Sequence, residues 1–144
     1  MKKFGLFGAF FALVVSFAAT APASAASVVA RIDLSTQRMT VLINGVPRYN
    51  WAVSTARKGY VTPVGSFRPF RMEKVYYSKK YDNAPMPNAV FFRGGYAVHG
   101  TYSISSLGRP ASHGCVRLAP SNAATLFSLV SQYGPGNSRI VVTY

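Results

Sequence analysis

Arg38-Met39-Thr40-Val41-Leu42-Ile43-Asn44-Gly45-Val46-Pro47-Arg48-Tyr49-Asn50-Trp51-Ala52-Val53-Ser54 is the stretch from which the fold can be read. Its first six residues include Thr40, Val41 and Ile43, β-branched side chains that favour extended backbone. Asn44-Gly45 is the strongest short hairpin signal, because both central positions of a type I′ turn need positive φ. Pro47 to Ser54 is then the returning strand, with Tyr49, Trp51 and Val53 on one face by period-two alternation.

Working outward, Val28 to Leu34 reads as a strand before the hairpin. After it come a loop, Ala56 to Pro63, and a short strand, Val64 to Phe70, which flanking prolines make edge-like. Glu73 to Asn88 has little periodicity and holds Tyr76, Tyr77, Lys79, Lys80, Tyr81, Pro85 and Pro87; it reads as a long surface excursion. Val90 to Arg93 and Tyr96 to His99 read as strands around Gly94-Gly95, and Tyr102 to Ala111 as a second loop. One helix stands out. Pro120 suits a first helical turn, Ala123, Leu126, Phe127 and Val130 follow i, i+3, i+4, i+7 spacing, and Gly134-Pro135-Gly136 stops it. Ala119 and Ser121 both remain candidates for its cap, and Arg139 to Thr143 closes the chain as a strand. The expected fold is mainly β, a sandwich-like or barrel-like sheet with one clear α-helix after the single cysteine.

Residues 1–25 read as a signal peptide: Lys2 and Lys3, an apolar run from Phe4 to Ala19, and the small-x-small site Ala23-Ser24-Ala25. The mature chain is expected to start at Ala26, so residues 26–144 form one domain large enough for a single core. Export is expected, to the periplasm or cell wall. With no cysteine following the signal, no lipid-modified N-terminus is expected.

Charge is lopsided. There are 16 Lys+Arg and only three acids, Asp33, Glu73 and Asp82. Without Lys2 and Lys3, 14 basic residues against three acids leave a net charge of +11. Such a field favours a polyanionic partner. Outside a cytoplasm that means acidic wall polymer, anionic lipid head groups or lipopolysaccharide, and nucleic acid is not expected.

All the cysteine and histidine of the chain lies in one window of 17 residues, from His99 to Cys115. A lone thiol in an exported protein cannot form an internal bridge and is a candidate reactive group. Its thiolate is the nucleophile, and an imidazole can remove the proton. His113 lies only two residues from Cys115, about 6–7 Å away in extended chain, whereas His99 can be carried across from a neighbouring strand. His99 is therefore favoured as the base, with His113 as a residue that shapes the turn. No carboxylate lies in the window to orient the base, so a backbone carbonyl, that of Gly100, is the simpler orienter. The N–H groups of Gly114 and Cys115 are the expected oxyanion hole. Arg117, two past the thiol, is placed to bind a substrate carboxylate with its fork of donors.

His99-Gly100-Thr101 together with Ser112-His113-Gly114-Cys115-Val116-Arg117-Leu118 resembles the signature of the L,D-transpeptidase catalytic domain, also called YkuD-like. Val53-Ser54-Thr55, Thr62-Pro63-Val64-Gly65-Ser66-Phe67 and the approach Phe91 to Gly100 resemble further family segments, so the resemblance covers Ser27 to Tyr144. It implies a β-sandwich-like catalytic domain that attacks a peptidoglycan tetrapeptide stem between its third residue, usually diaminopimelate, and the terminal D-alanine. D-Alanine leaves, a thioester forms, and an amine of a second stem or of an envelope protein resolves it; carbapenems acylate the same cysteine. By position, the resemblance implies Cys115 as nucleophile, His99 as base, Gly100 as its orienting carbonyl, Arg117 as a substrate contact, and Ser112 and His113 as parts of the turn. No cofactor and no metal is implied, and a monomer is expected. No wall-binding module accompanies the domain in this reading; the basic surface is expected to stand in for one, and the Tyr-rich excursion to cover the substrate.

Two other readings compete. One is a zinc peptidase with His99, His113 and Cys115 as ligands, which would lack a general-base carboxylate. The other is a cationic wall-binding module without catalysis.

Overall fold

The structure, a computed structural model, describes residues 27–144. The signal-peptide reading and the cleavage site fall outside those residues.

The hairpin forms where the turn chemistry puts it. Strands β1 (Val28–Asp33), β2 (Arg38–Ile43) and β3 (Val46–Ala52) run antiparallel in succession. Asn44 and Gly45 take φ of 52° and 79°, the left-handed values that a two-residue hairpin turn requires. Tyr49 and Trp51 share a face, with ring centroids 4.9 Å apart. Val53 follows just beyond the strand and is fully buried.

Strand β4 (Gly65–Phe67) is shorter than the expected Val64–Phe70. It sits at a sheet edge, as its prolines required. The chain then leaves that sheet, and the Phe70 N–H donates to Phe91 O at 3.0 Å in the second sheet. Pro69 offers no N–H to continue the first ladder, so the chain crosses from one sheet to the other at this point.

The second sheet holds β5 (Arg71–Glu73), β8 (Ala89–Arg93), β9 (Tyr96–Gly100) and β10 (Val116–Leu118) in the order β10-β9-β8-β5. Between β5 and β8 lies a small hairpin, β6 (Tyr77–Ser78) and β7 (Ala84–Pro85). Helix α1 runs Pro120–Tyr133, and β11 (Ser138–Thr143) returns parallel to β1, inserted between β1 and β4. The first sheet is thus ordered β3-β2-β1-β11-β4. Ala119 is the N-cap of α1 and provides no side-chain bond, while Gly134, at φ 91°, closes the helix with its N–H on Val130 O at 2.9 Å.

The main core fills the space between the two sheets and α1. Ala30, Ile32, Met39, Val41, Ile140 and Val142 from the first sheet meet Val90, Phe92, Val98, Val116 and Leu118 from the second. Ala123, Leu126 and Val130 of α1 complete it, at the spacing the sequence showed. Each fully buried aliphatic side chain contributes about 1.5–3 kcal/mol.

A smaller cluster lies on the opposite face of the second sheet. Ala89, Phe91 and Ala97 are covered there by Met86 and Tyr76, whose ring meets Phe91 edge-on at 5.1 Å. The segment Glu73–Asn88 is therefore not wholly a surface excursion. Its first residue ends β5, Met86 is only 6% exposed, and its apolar side chains roof this second face. Two isolated inward-facing side chains, Tyr76 and Met86, leave no periodic signal in the sequence.

Candidate active site

Strands β9 and β10 pair in parallel, with Val98 opposite Val116 and Arg117 opposite His99. Val98 and Val116 face the main core, so alternation turns Ala97, His99 and Arg117 to the other side. Cys115 packs against that same smaller cluster, one step before β10 and beside Ala97. Cys115 and His99 are therefore diagonal neighbours on one sheet face, a separation of about 7–8 Å between backbones.

His99 is 5% exposed. Its Nδ1 lies 2.7 Å from Gly100 O. A carbonyl only accepts, so Nδ1 carries the proton and Nε2 keeps its lone pair. Burial pushes the imidazole down to about 4, against the partial support of the Gly100 carbonyl, with Arg117 acting in the same direction as burial. At neutral pH the ring is an uncharged base of fixed tautomer.

The thiol rests protonated. Burial raises the Cys115 thiol above its ordinary 9.0, while the Ala97 N–H and the Arg117 charge pull the other way without prevailing. Arg117 favours the thiolate, but desolvation is the larger effect. The sulfur is 3.8 Å from Gly95 O, a long and weak contact for an S–H donor.

The turn that carries the thiol is tied from several sides. Ser112 is fully buried; its Oγ donates to Cys115 O at 2.6 Å and accepts the Gly114 N–H at 3.0 Å. Thr62 Oγ1 donates to Gly114 O at 2.8 Å and accepts the Ala56 N–H at 3.0 Å. Ser54 and Arg117 exchange backbone bonds of 3.1 and 2.9 Å, and Ser112 N–H donates to Thr55 O at 2.9 Å. Gly114 has φ 135°, and a Cβ there would lie 2.6 Å from Tyr96 Cε1 and 2.8 Å from Val61 O. No other residue type fits.

One expectation is corrected here. The Gly114 N–H is engaged by Ser112 Oγ and is not free for an oxyanion hole. Its side-chain acceptor lies two residues earlier, a local bond that sequence spacing does not announce.

The His113 ring is contacted by Arg57, Tyr60 and Tyr81. Its Nε2 lies 3.0 Å from Arg57 Nη2, and since a guanidinium only donates, that nitrogen is an acceptor already in use. Tyr81 stacks on its ring at 4.1 Å and 9°, and Tyr60 meets it edge-on at 4.8 Å. Among the described residues no three His, Cys, Asp or Glu side chains converge as a metal site would need, so His99, His113 and Cys115 do not form the ligand set of the zinc reading.

The family model of the L,D-transpeptidase catalytic domain, YkuD, matches residues 27–142. The chain belongs to this family. Among solved structures, an L,D-transpeptidase from Mycobacterium smegmatis is similar at 26% identity and TM-score 0.74, over 83% of this chain and 59% of that one. An L,D-transpeptidase from Stackebrandtia nassauensis is similar at 27% identity and TM-score 0.71, over 91% and 62%. An L,D-transpeptidase in complex with imipenem is similar at 25% identity and TM-score 0.71, over 82% and 59%. The chain thus spans about three fifths of the length of these solved relatives. Among curated proteins no match was found.

The mainly β, sandwich-like fold with its helix after the cysteine is that of the family. Thr62 belongs to the Thr-Pro-x-Gly-x-Phe segment that resembles the family, yet nothing in the sequence assigned it the task of holding Gly114. Arg57 and Tyr81 were likewise missed, because their meeting on His113 joins two loops distant in sequence. An open groove of about 570 Å³ runs beside the Gly114 turn, lined in part by Val61, Thr62, Val64, Arg93 and Tyr96.

Proposed function

We propose that this chain is a peptidoglycan L,D-transpeptidase that uses Cys115 as nucleophile and His99 as base. The observation that carries the reading is the Gly100 carbonyl on His99 Nδ1, which leaves Nε2 unprotonated on the sheet face that Cys115 shares. In the first step the thiol proton passes to His99 Nε2 as sulfur bonds to the carbonyl carbon of the third stem residue. The C–N bond to D-alanine then breaks, and the departing amine takes that proton. This leaves a thioester. An acceptor amine, from a second stem or an envelope protein, attacks it, gives its proton to His99, and the thiol is restored as the new amide forms.

Burial raises the thiol and lowers the imidazole, so the neutral pair is favoured at rest and His99 takes the proton in the course of the first step. Arg117, partly buried opposite His99, supports the thiolate as it develops. The Cys115 N–H is the remaining backbone candidate for the oxyanion, and Ser112 holds the turn that presents it. The exported setting, in the periplasm or cell wall, and the monomeric state belong to the same reading. The basic surface supports contact with an acidic wall polymer.

The test is incubation with a defined tetrapeptide fragment and mass analysis of the products. Release of D-alanine with a thioester on Cys115 is expected, and both should vanish in Cys115→Ala. His99→Ala should slow thioester formation by about 10²–10⁴, the scale of a lost general base. His113→Ala should cost less, and the reverse order of the two would overturn the assignment.

A further inference from the structure

We propose that Arg57, in contact with the His113 ring, and Lys80, next to the Tyr81 stacked on that ring, form a carboxylate-binding subsite at the turn that carries Cys115, and that it recognises a free carboxylate of the donor stem. The inference rests on the transpeptidase reading and adds a substrate contact to it.

Arg57 is tied to the reactive turn by its backbone. Its N–H donates to Ser112 O at 2.9 Å, and Ala56 bridges to Ser112. Its side chain is exposed, lies over the Tyr60 ring at 4.9 Å, and gives Nη2 to His113 Nε2 at 3.0 Å. A guanidinium has five N–H donors in a planar fork, so this contact orients the group and leaves donors open. From the other side, Tyr81 stacks on His113 and carries the neighbouring Lys80, whose ammonium lies 5.5 Å from the Tyr81 ring. Two loops distant in sequence thus meet at one imidazole, two residues before the nucleophile: Arg57 touches the ring, and Lys80 adjoins the tyrosine stacked on it.

Among the described residues no carboxylate pairs with either cation. Among the described residues the only ion pair is Arg71–Glu73, at 2.9 Å. Asp33 is engaged by Ser35 and Thr36, and Asp82, one residue past Tyr81, is exposed and unpaired. His113 itself is driven toward its neutral form by burial, with Arg57, Arg117 and Lys80 acting in the same direction. Cations held by backbone and aromatic contacts, with no internal carboxylate, suit an external one through charge-assisted bonds. A stem peptide offers two carboxylates next to the reacting carbonyl: that of the terminal D-alanine, and the side-chain carboxylate of the third residue.

The experiment compares three tetrapeptides: the free acid, one amidated on the third residue's side chain, and one amidated at the C-terminus. D-Alanine or D-alaninamide release is measured with the purified protein, with Arg57→Ala and with Arg57→Lys. Binding of the same peptides to Cys115→Ala, with and without Arg57→Ala, is measured by calorimetry. The free acid should be preferred by about 10- to 100-fold over one of the amides, the scale of a charge-assisted pair. The disfavoured amide identifies the carboxylate. Arg57→Ala should bring the ratio close to one, and Arg57→Lys should keep part of it. Equal handling of all three peptides by the parent protein, or a ratio that survives Arg57→Ala, would overturn the subsite. Failure of the transpeptidase reading looks different: no release from any peptide and no imipenem adduct on Cys115, with the binding ratios still deciding the subsite.

Discussion

Acid should unfold this protein through His99. The imidazole is buried and sits near 4 in the fold, against 6.5 for an ordinary histidine. Above pH 6.5 it is neutral in both folded and unfolded chains and makes no difference to stability. As pH falls below that value the unfolded chain takes up a proton that the folded one refuses, so stability declines until the folded imidazole also titrates, near pH 4. At about 1.4 kcal/mol per pH unit, the span from 6.5 to about 4 amounts to about 3 kcal/mol. That is a large part of the 5–15 kcal/mol that holds a typical domain, roughly speaking.

The assay is urea unfolding, followed by Trp51 fluorescence, across that pH range for the parent protein and for His99→Asn. Asparagine keeps a donor for Gly100 O but cannot titrate. His113 shifts in the same direction, but it is present in both proteins and cancels in their difference. Asp33, the carboxylate held low by Ser35 and Thr36, contributes only below its ordinary 3.8, outside the window. The parent should lose about 3 kcal/mol more than the variant between near-neutral pH and about pH 4. Parallel curves for the two proteins would refute the claim that a neutral, buried His99 is part of the fold.

Other outcomes follow from the same geometry. Alkylation of Cys115 in the resting protein should be slow at neutral pH, climb about tenfold per pH unit and level off only above the ordinary thiol value of 9.0, because burial holds the proton on sulfur; a plateau at neutral pH would indicate a preformed thiolate. Gly114→Ala should reduce D-alanine release by about 10² or more, since a Cβ 2.6 Å from Tyr96 forces the nucleophile's turn to move; kinetics on the tetrapeptide check it. Leu126→Ala, at the centre of the α1 contact with the core, should cost about 2–5 kcal/mol in urea unfolding. Binding to isolated wall sacculi should weaken as salt is raised through the range where the Debye length falls from about 10 to about 3 Å, and salt-independent binding would detach the basic surface from wall recognition.

Much of this was legible in the linear sequence. The Asn44-Gly45 turn, the period-two strands and the 3.6-period face of α1 are local matters, decided by φ preferences and by which side chains alternate. The concentration of one thiol and two imidazoles in a short window pointed to a reaction centre without any structure. What the sequence left open was relative position. Whether His99 or His113 is the better base depends on which ring nitrogen is free, and only the fold brings a carbonyl to one ring and an arginine to the other. The Gly114 N–H was assigned to an oxyanion and instead meets Ser112, because a hydroxyl two residues away competes for it. The raised Cys115 thiol comes from desolvation beside the small cluster that Met86 belongs to, and no periodicity records the inward turn of Met86. Propensity and pattern act over a few residues and therefore show in the chain; desolvation and the pairing of Arg57 and Tyr81 across His113 exist only once distant segments have been folded together.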